Sequence, residues 1–239
     1  LLPMNNGVPS NKKIWEITYP IVLTLVAQNI INVTDTAFLG RVGEVELGAS
    51  ALAGIFYIAV FMLGYGFSTG TQIMIARRNG EKEFTQVGKI FDQSSYFFVA
   101  LALLVFSIIY FLGAPMLALI VSSKNILAAS ETYLTIRVFG VLFAFGNLAF
   151  RSLLVGITQT KALGYSAGVM AITNVILDYV FIFGHFGVPP LGIGGAALAS
   201  VFSELAALLF FIIYTFIKLD RSQYPIFKFP AIDFKILLQ

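Results

Sequence analysis

Residues 94–112 read SSYFFVALALLVFSIIYFL, an uncharged and almost wholly apolar run. A helix needs about 20 such residues to cross the hydrocarbon core of a bilayer. This run therefore predicts a membrane-spanning helix, and similar runs recur along the chain, separated by Gly, Pro or charged residues. The six predicted spans are residues 14–39, 49–76, 90–112, 131–157, 162–184 and 191–217.

The overall composition agrees with six spans in lipid. Hydrophobic residues make up 58% of the chain and charged residues 11%, whereas an ordinary soluble domain has about 25% charged residues. The predicted fold class is therefore an all-α integral membrane protein, a bundle of six transmembrane helices. The net charge of +3 does not indicate nucleic-acid binding, because the basic residues lie in the short gaps between apolar runs, where they set orientation in the membrane. The absence of cysteine excludes disulfides and thiolate metal sites.

The positions of lysine and arginine predict the orientation. Two of them, Arg41 and Lys124, fall on one side of the predicted spans, and the other side carries Lys12, Lys13, Arg77, Arg78, Lys82, Lys89, Lys161, Lys218, Arg221, Lys228 and Lys235. Cytoplasmic loops are the ones enriched in these residues. Residues 1–13 and 218–239 are therefore predicted to be a cytoplasmic N-terminus and a cytoplasmic connector.

A polar stripe marks the first predicted span. Its members Thr24, Gln28, Asn32 and Asp35 recur at helical spacing, so they share one face. Such a face is expected to meet protein or a water-filled cavity rather than lipid. For Gln28 and Asn32, bonding between helices explains the pattern as well as function does; the ionisable Asp35 favours function.

The fifth span carries a second polar pair, Asn174 and Asp178, four residues apart. Asp35 lies five residues before Gly40 and Asp178 six before Gly184, so both lie roughly 7 to 9 Å below the same boundary. Two acids at one level predict a shared site that binds a proton or a hard cation such as Na⁺, with Asn174 adding an oxygen. The alternative is that the two aspartates face different partners.

Other ionisable residues at membrane depth have open interpretations. Arg137 pairs with Glu131 or helps to neutralise an acidic cluster, and Glu204 is either a cavity acid or part of a bond between helices. For Arg151, snorkelling to the membrane surface is favoured over a functional role. Asp92 and Glu131 lie near span ends, where an interfacial role is expected.

Six short sequences resemble the multidrug and toxic compound extrusion (MATE) family. They follow the family's order along the chain: residues 34–43 (TDTAFLGRVG), 47–53 (LGASALA), 72–80 (QIMIARRNG), 150–156 (FRSLLVG), 174–178 (NVILD) and 192–200 (GIGGAALAS).

The resemblance implies a transporter of twelve spans in two six-helix lobes, in the inner (plasma) membrane of a bacterium or archaeon. It would export small organic cations in exchange for Na⁺ or H⁺ by alternating access. By position, Asp35 is the coupling acid, Asn174 and Asp178 are its partners, and Pro20 is the site of a helix bend. The hydroxyl that some relatives supply from span six aligns with Ala196, and Ser200 follows one turn later.

The resemblance also implies that a C-terminal six-helix lobe is missing from these residues; a dimer of half-size transporters is the alternative. No catalytic residues and no cofactor are expected, because nothing forms a nucleophile with its base or a zinc motif. The rival functions are a lipid-linked saccharide flippase, which would need more cavity cations, and a passive channel.

Overall fold

The computed structural model describes residues 4–5, 8–9, 11–228, 231 and 233. Helices dominate these ranges, and a short antiparallel pair of strands, β1 (Met4–Asn5) and β2 (Val8–Pro9), precedes them. The helices are α1 (Asn11–Val42), α2 (Glu44–Gly80), α3 (Phe84–Ile120), α4 (Lys124–Arg137), α5 (Phe139–Gly156), α6 (Lys161–Phe183) and α7 (Gly192–Lys218). Six of them, all but α4, are long and apolar enough to cross a membrane, which confirms the predicted six-span helical fold.

Helices α2 and α3 extend well past the spans predicted for them, residues 49–76 and 90–112. Both contain 37 residues, and the predicted break over residues 40–48 shrinks to Gly43 alone. The reason is that hydropathy marks the part of a helix that lies in lipid, while the helix itself continues into the aqueous interface. We call the end of the bundle where α1 meets α2 the Gly43 end, and the opposite end the Gly80 end.

The predicted span at residues 131–157 is interrupted at Val138, between α4 and α5. The Val141 N–H donates to the Val138 carbonyl at 3.1 Å, a tight turn of the 3₁₀ type. The interruption lies directly beside Arg137, whose side chain is part of a buried cluster described below.

Small residues bring α1, α6 and α7 close together. At Gly195 an added Cβ would lie 2.6 Å from the backbone of Phe181, and at Gly164 it would lie 3.5 Å from Pro20. Ala27, Ala167 and Ala171 form a buried patch between α1 and α6. Backbones can approach this closely only where side chains are small, so the polar residues of α1 and α6 are held against each other.

The other half of the bundle is a larger apolar core shared by α2, α3, α5 and α7. Its fully buried members include Phe91, Phe98, Phe145, Leu153 and Leu154. Many large apolar side chains point outward instead, such as Phe111 and Ile73. That pattern, apolar both inside and outside, is expected of a bundle whose solvent is lipid.

Residues 219–228, which we call the connector strap, fold back onto α3. Asp92 accepts the backbone N–H groups of Phe227 at 2.7 Å and Lys228 at 2.8 Å. Next to it, Gln93 donates to the Ala231 carbonyl at 2.8 Å and accepts the Asp233 N–H at 2.9 Å. Asp92 is 1% exposed. The expectation of an interfacial Asp92 is therefore wrong: it is a buried anchor, because the chain beyond α7 covers it.

Candidate functional site

Asp35, Asn174 and Asp178 form a single group between α1 and α6, the acid cluster. With its amide nitrogen toward the acids, Asn174 donates to Asp35 Oδ1 at 3.1 Å and to Asp178 Oδ2 at 3.2 Å. The Asn174 side chain thus bridges the two carboxyl groups. Asn174 and Asp178 are 0% exposed, and Asp35 is half-buried.

Charge compensation is missing from the acid cluster. Across the ranges that the structure describes, the ion pairs all lie elsewhere, and Asp178 Oδ1 is buried without a hydrogen-bond partner. Two buried carboxylates this close repel each other unless a proton or a cation lies between them. The group is therefore built to take up positive charge.

The donor set of the acid cluster suits a proton or Na⁺. Turned the other way, the Asn174 amide places its oxygen beside the carboxylates, and three oxygens converge. Oxygen ligands favour hard cations. No group of three or more His, Cys, Asp or Glu side chains occurs within the described residues, so the arrangement offers nothing to a soft transition metal.

Both acids lie at one depth. Asp35 is seven residues from the end of α1 and Asp178 five from the end of α6, which places them about 10 and 8 Å from the Gly43 end. The agreement in depth, together with the small-residue contact between α1 and α6, brings the two carboxyl groups together.

A second buried group, the ion-pair cluster, joins α2, α4 and α7. Arg137 donates to Glu204 twice, from Nη1 to Oε2 at 2.9 Å and from Nη2 to Oε1 at 2.6 Å. Tyr57 donates to Glu204 Oε1 at 2.9 Å, and its ring centroid lies 3.7 Å below the guanidinium carbon of Arg137. Arg137 is 8% and Glu204 4% exposed.

Gly140 makes room for the ion-pair cluster. A Cβ at this position would overlap Arg137 Nη1 and Glu204 Oε2. Asn147, about two turns further along α5, donates to the Glu204 carbonyl at 2.9 Å. Gly140 and Asn147 of α5 thus hold the side chain and the backbone of Glu204 in place.

A cavity of ≈ 560 Å³ lies between α1, α2, α5, α6 and α7, and Glu204 of the ion-pair cluster is part of its wall. Most of its wall is apolar; the polar and charged members of the wall are Thr24, Gln28, Tyr65, Asn147, Arg151, Ser166 and Glu204. A space of this size holds a drug-sized molecule.

Comparison with known proteins identifies the family. The family model of MatE matches residues 20–180, which is most of the described bundle. The chain belongs to the MATE family. This MATE chain is 30% identical over 208 residues to a probable multidrug resistance protein NorM of Agrobacterium fabrum, and 27% identical over 224 residues to one of Photorhabdus laumondii.

Solved structures show the same fold. An outward-facing multidrug resistance MATE transporter of the MOP superfamily superposes with a TM-score of 0.85 at 20% identity, over 94% of this chain and 49% of that chain. The two NorM relatives are covered over 44% and 48% of their length, and they cover 87% and 92% of this chain. The chain thus spans about half the length of the relatives it matches, as the N-terminal lobe of a MATE transporter does.

The predicted polar stripe divides within this MATE lobe. Thr24 and Gln28 line the cavity, whereas Asn32 lies outside the cavity wall. The reason is rotational drift, since eight residues of a helix turn about 80° past two full revolutions. Asn32 is therefore no part of the cavity or of the acid cluster.

Span six supplies no hydroxyl to the acid cluster. Ser200 is buried, but the contact that the structure shows for it is within α7, where its carbonyl accepts the Ser203 hydroxyl at 2.8 Å. Pro20 is buried inside an uninterrupted α1, beside Gly164. Whether it bends the helix during transport stays a prediction.

The remaining ionisable residues of the MATE lobe have the following partners. Arg137 pairs with Glu204, a partner that sequence reasoning did not name, and its ion pair does not involve Glu131. Glu204 both lines the cavity and bonds a neighbouring helix. Arg151 lines the cavity, and its snorkelling to the membrane surface stays a prediction. Sequence reasoning missed Tyr57 and Asn147, because neutral polar residues in an apolar helix carry no charge to mark them.

Proposed function

We propose that this chain is the N-terminal half of a secondary active multidrug exporter, which exchanges organic cations or other drugs for Na⁺ or H⁺ by alternating access. The observation that carries the proposal is the uncompensated acid cluster in a membrane lobe of the MATE family. Its relatives are named as multidrug resistance proteins, which supports a drug as the exported molecule.

The acid cluster is the proposed coupling site. Without a bound ion, the carboxylates of Asp35 and Asp178 repel each other in a poorly solvated place. A proton or Na⁺ relieves that repulsion, and Asn174 turns its amide nitrogen or oxygen toward the acids to match the charge that is present. Ion occupancy thereby changes the contact between α1 and α6.

The neighbouring cavity is the proposed drug site. It adjoins α1 along Thr24, Ala27 and Gln28, on the helix that also carries Asp35. A shift of α1 on ion binding therefore changes the wall of the cavity as well. This shared helix is the physical link between ion entry and drug release that exchange requires.

A second six-helix lobe is proposed to complete the transporter, since the chain spans about half the length of its relatives. An even number of spans places both ends of the lobe on the same side of the membrane, which we propose is the cytoplasm. A second lobe in parallel orientation then follows directly.

Efflux from proteoliposomes tests the proposal. The complete transporter is reconstituted into proteoliposomes with ethidium at equal concentration inside and outside. These are exposed to an inward gradient of Na⁺ or of protons, with K⁺ replacing Na⁺ as the control. We expect ethidium to move against its own gradient when one of the two ion gradients is present, and to stop when that gradient is collapsed. Movement that only follows the ethidium gradient would identify a passive channel and contradict the proposal.

A further inference from the structure

The charge of the cavity wall is set by two side chains. Among the described residues, the Asp, Glu, Lys, Arg or His side chains that line the cavity are those of Arg151 and Glu204. The rest of the wall is apolar or neutral polar. The charge that a bound drug meets in this lobe is therefore decided by what these two residues do.

Glu204 contributes little negative charge. Both of its carboxylate oxygens accept from Arg137, and Oε1 accepts from Tyr57 as well. A bidentate pair of this kind cancels both charges locally, and breaking it would strand a buried arginine. A cationic drug consequently finds no free carboxylate at Glu204.

Arg151 contributes a positive charge that no carboxylate neutralises in the part of the chain that the structure describes. Its Nη2 donates to the Tyr65 hydroxyl at 3.2 Å, and its guanidinium carbon lies 5.3 Å from the Tyr65 ring centroid. A guanidinium has five N–H donors in a planar fork that matches a carboxylate. One contact with Tyr65 holds the side chain and leaves most of those donors available to a ligand.

The aromatic and apolar neighbours complete a recognition site. Phe61 and Tyr65 on α2 and Phe211 on α7 line the same cavity as Arg151. A flat aromatic body fits among such side chains, and an acidic group on that body reaches the guanidinium. Arg151 lies five residues from the end of α5, about 8 Å from the Gly80 end.

We propose that Arg151 is a substrate-binding residue for the carboxylate of aromatic amphiphiles, so that this lobe binds zwitterionic or anionic drugs more tightly than purely cationic ones. The inference rests on the proposed function, whose drug site it specifies. It narrows the expected substrates to drugs that carry a carboxylate. Such a drug can also carry a positive charge, but this lobe recognises the carboxylate.

Two dyes that differ only in the carboxylate test the inference. Tetramethylrhodamine is a zwitterion with a free carboxylate, and its methyl ester is a cation. Binding of each dye to the purified complete transporter is followed by fluorescence polarisation. We expect the acid to bind about tenfold more tightly than the ester, the weight of one charge-assisted hydrogen bond. Arg151→Gln should remove that difference by weakening the acid alone.

Two further variants keep the test sharp. Arg151→Lys retains the charge but loses the planar fork, so it should keep only part of the preference for the acid. Arg41→Gln removes the same charge from an exposed position outside the cavity, and it should change neither affinity. If Arg151→Gln does not fold, the lysine variant decides the question by itself: an unchanged preference for the acid overturns the inference.

Other outcomes contradict the inference directly. Equal affinity of the unaltered protein for acid and ester, failure to bind the acid, or equal weakening of both dyes by Arg151→Gln would each overturn it. The proposed function fails separately, when ethidium efflux does not depend on an ion gradient. If the acid is preferred and the preference depends on Arg151, but efflux needs no ion gradient, this inference holds and the proposed exporter function is contradicted.

Discussion

The acid cluster and the ion-pair cluster are two answers to the same problem, charge buried at membrane depth. In the ion-pair cluster, Arg137 and Glu204 cancel each other and Tyr57 covers both. In the acid cluster, Asp35 and Asp178 carry like charge, and an oxygen of Asp178 has no partner. The two clusters also differ in depth, since Arg137 and Glu204 lie about 20 and 18 Å from the Gly43 end and the acids about 8 to 10 Å.

The difference distinguishes buried charge that stabilises the fold from buried charge that takes part in transport. A closed pair near the middle of the membrane is a fixed bond between helices, because opening it exposes two ions to lipid. An open pair of acids nearer one surface is incomplete until an ion arrives from water. Variants that alter the acid cluster should therefore affect transport, and those that alter the ion-pair cluster should affect stability.

The largest effect is expected from Asp35→Asn. Asparagine has nearly the same shape and relieves the repulsion from Asp178, so the fold should be retained while the charge that attracts the ion is lost. We expect ion-driven ethidium efflux from proteoliposomes to fall to the level of empty liposomes. Asn32→Ala, on the same helix but outside both clusters, is the matched control and should transport normally. Normal efflux by Asp35→Asn would remove the coupling role.

Asp178→Asn should have a smaller effect of the same kind. Asp35, the more exposed of the two acids, keeps its charge, so an ion that arrives from water still meets a carboxylate. The ion binds more weakly because half of the negative charge is gone. Efflux should need a larger Na⁺ or proton gradient, measured by titrating the driving ion. Unchanged ion dependence would exclude Asp178 from the site.

Glu204→Gln tests whether the ion-pair cluster stabilises the fold. It leaves Arg137 buried without a carboxylate, which should lower the free energy of unfolding by about 3 to 5 kcal/mol. The double variant Arg137→Met/Glu204→Met removes both charges and should recover most of that loss. Denaturant titration of the complete transporter in detergent measures both.

Glu131→Gln is the matched control, because this acid lies on the same helix as Arg137 and does not pair with it; its effect should be within about 0.5 kcal/mol. A double variant that is less stable than Glu204→Gln would show that the ion pair is not mainly structural.

Gly140→Ala should have the smallest effect of the series. The new methyl group would overlap Arg137 and Glu204, so the pair must shift, at about 1 to 3 kcal/mol of unfolding free energy. Gly168→Ala adds the same group where nothing lies within 4 Å and should leave stability unchanged or slightly higher. Equal melting temperatures for the two variants would contradict the close fit at Gly140.

Sequence patterns predicted much of this arrangement because the position of a residue along a membrane span gives its depth in the membrane. The number of residues between Asp35 or Asp178 and the nearest span end placed both acids at one level, and the structure brings them together. Six apolar runs likewise predicted six spans. Spacing along a helix does not show which neighbouring helix a face meets, so the sequence offered Glu131 as a partner for Arg137 and did not name Glu204.

The rest depended on tertiary contacts that no local pattern contains. Asn32 drifts off the polar face because the turn of a helix is not a whole number of residues. Asp92 is buried by the connector strap, a segment more than a hundred residues later in the chain. Tyr57 joins the ion-pair cluster only through the packing of α2 against α4 and α7.

The central claim, that the acid cluster binds the coupling ion, is tested most directly by thermal unfolding of the purified complete transporter. An ion that binds only the folded state raises the melting temperature as its concentration rises. We predict such a rise with Na⁺ at constant ionic strength, or with falling pH, and its loss in the double variant Asp35→Asn/Asp178→Asn. An identical rise in that double variant would contradict the claim.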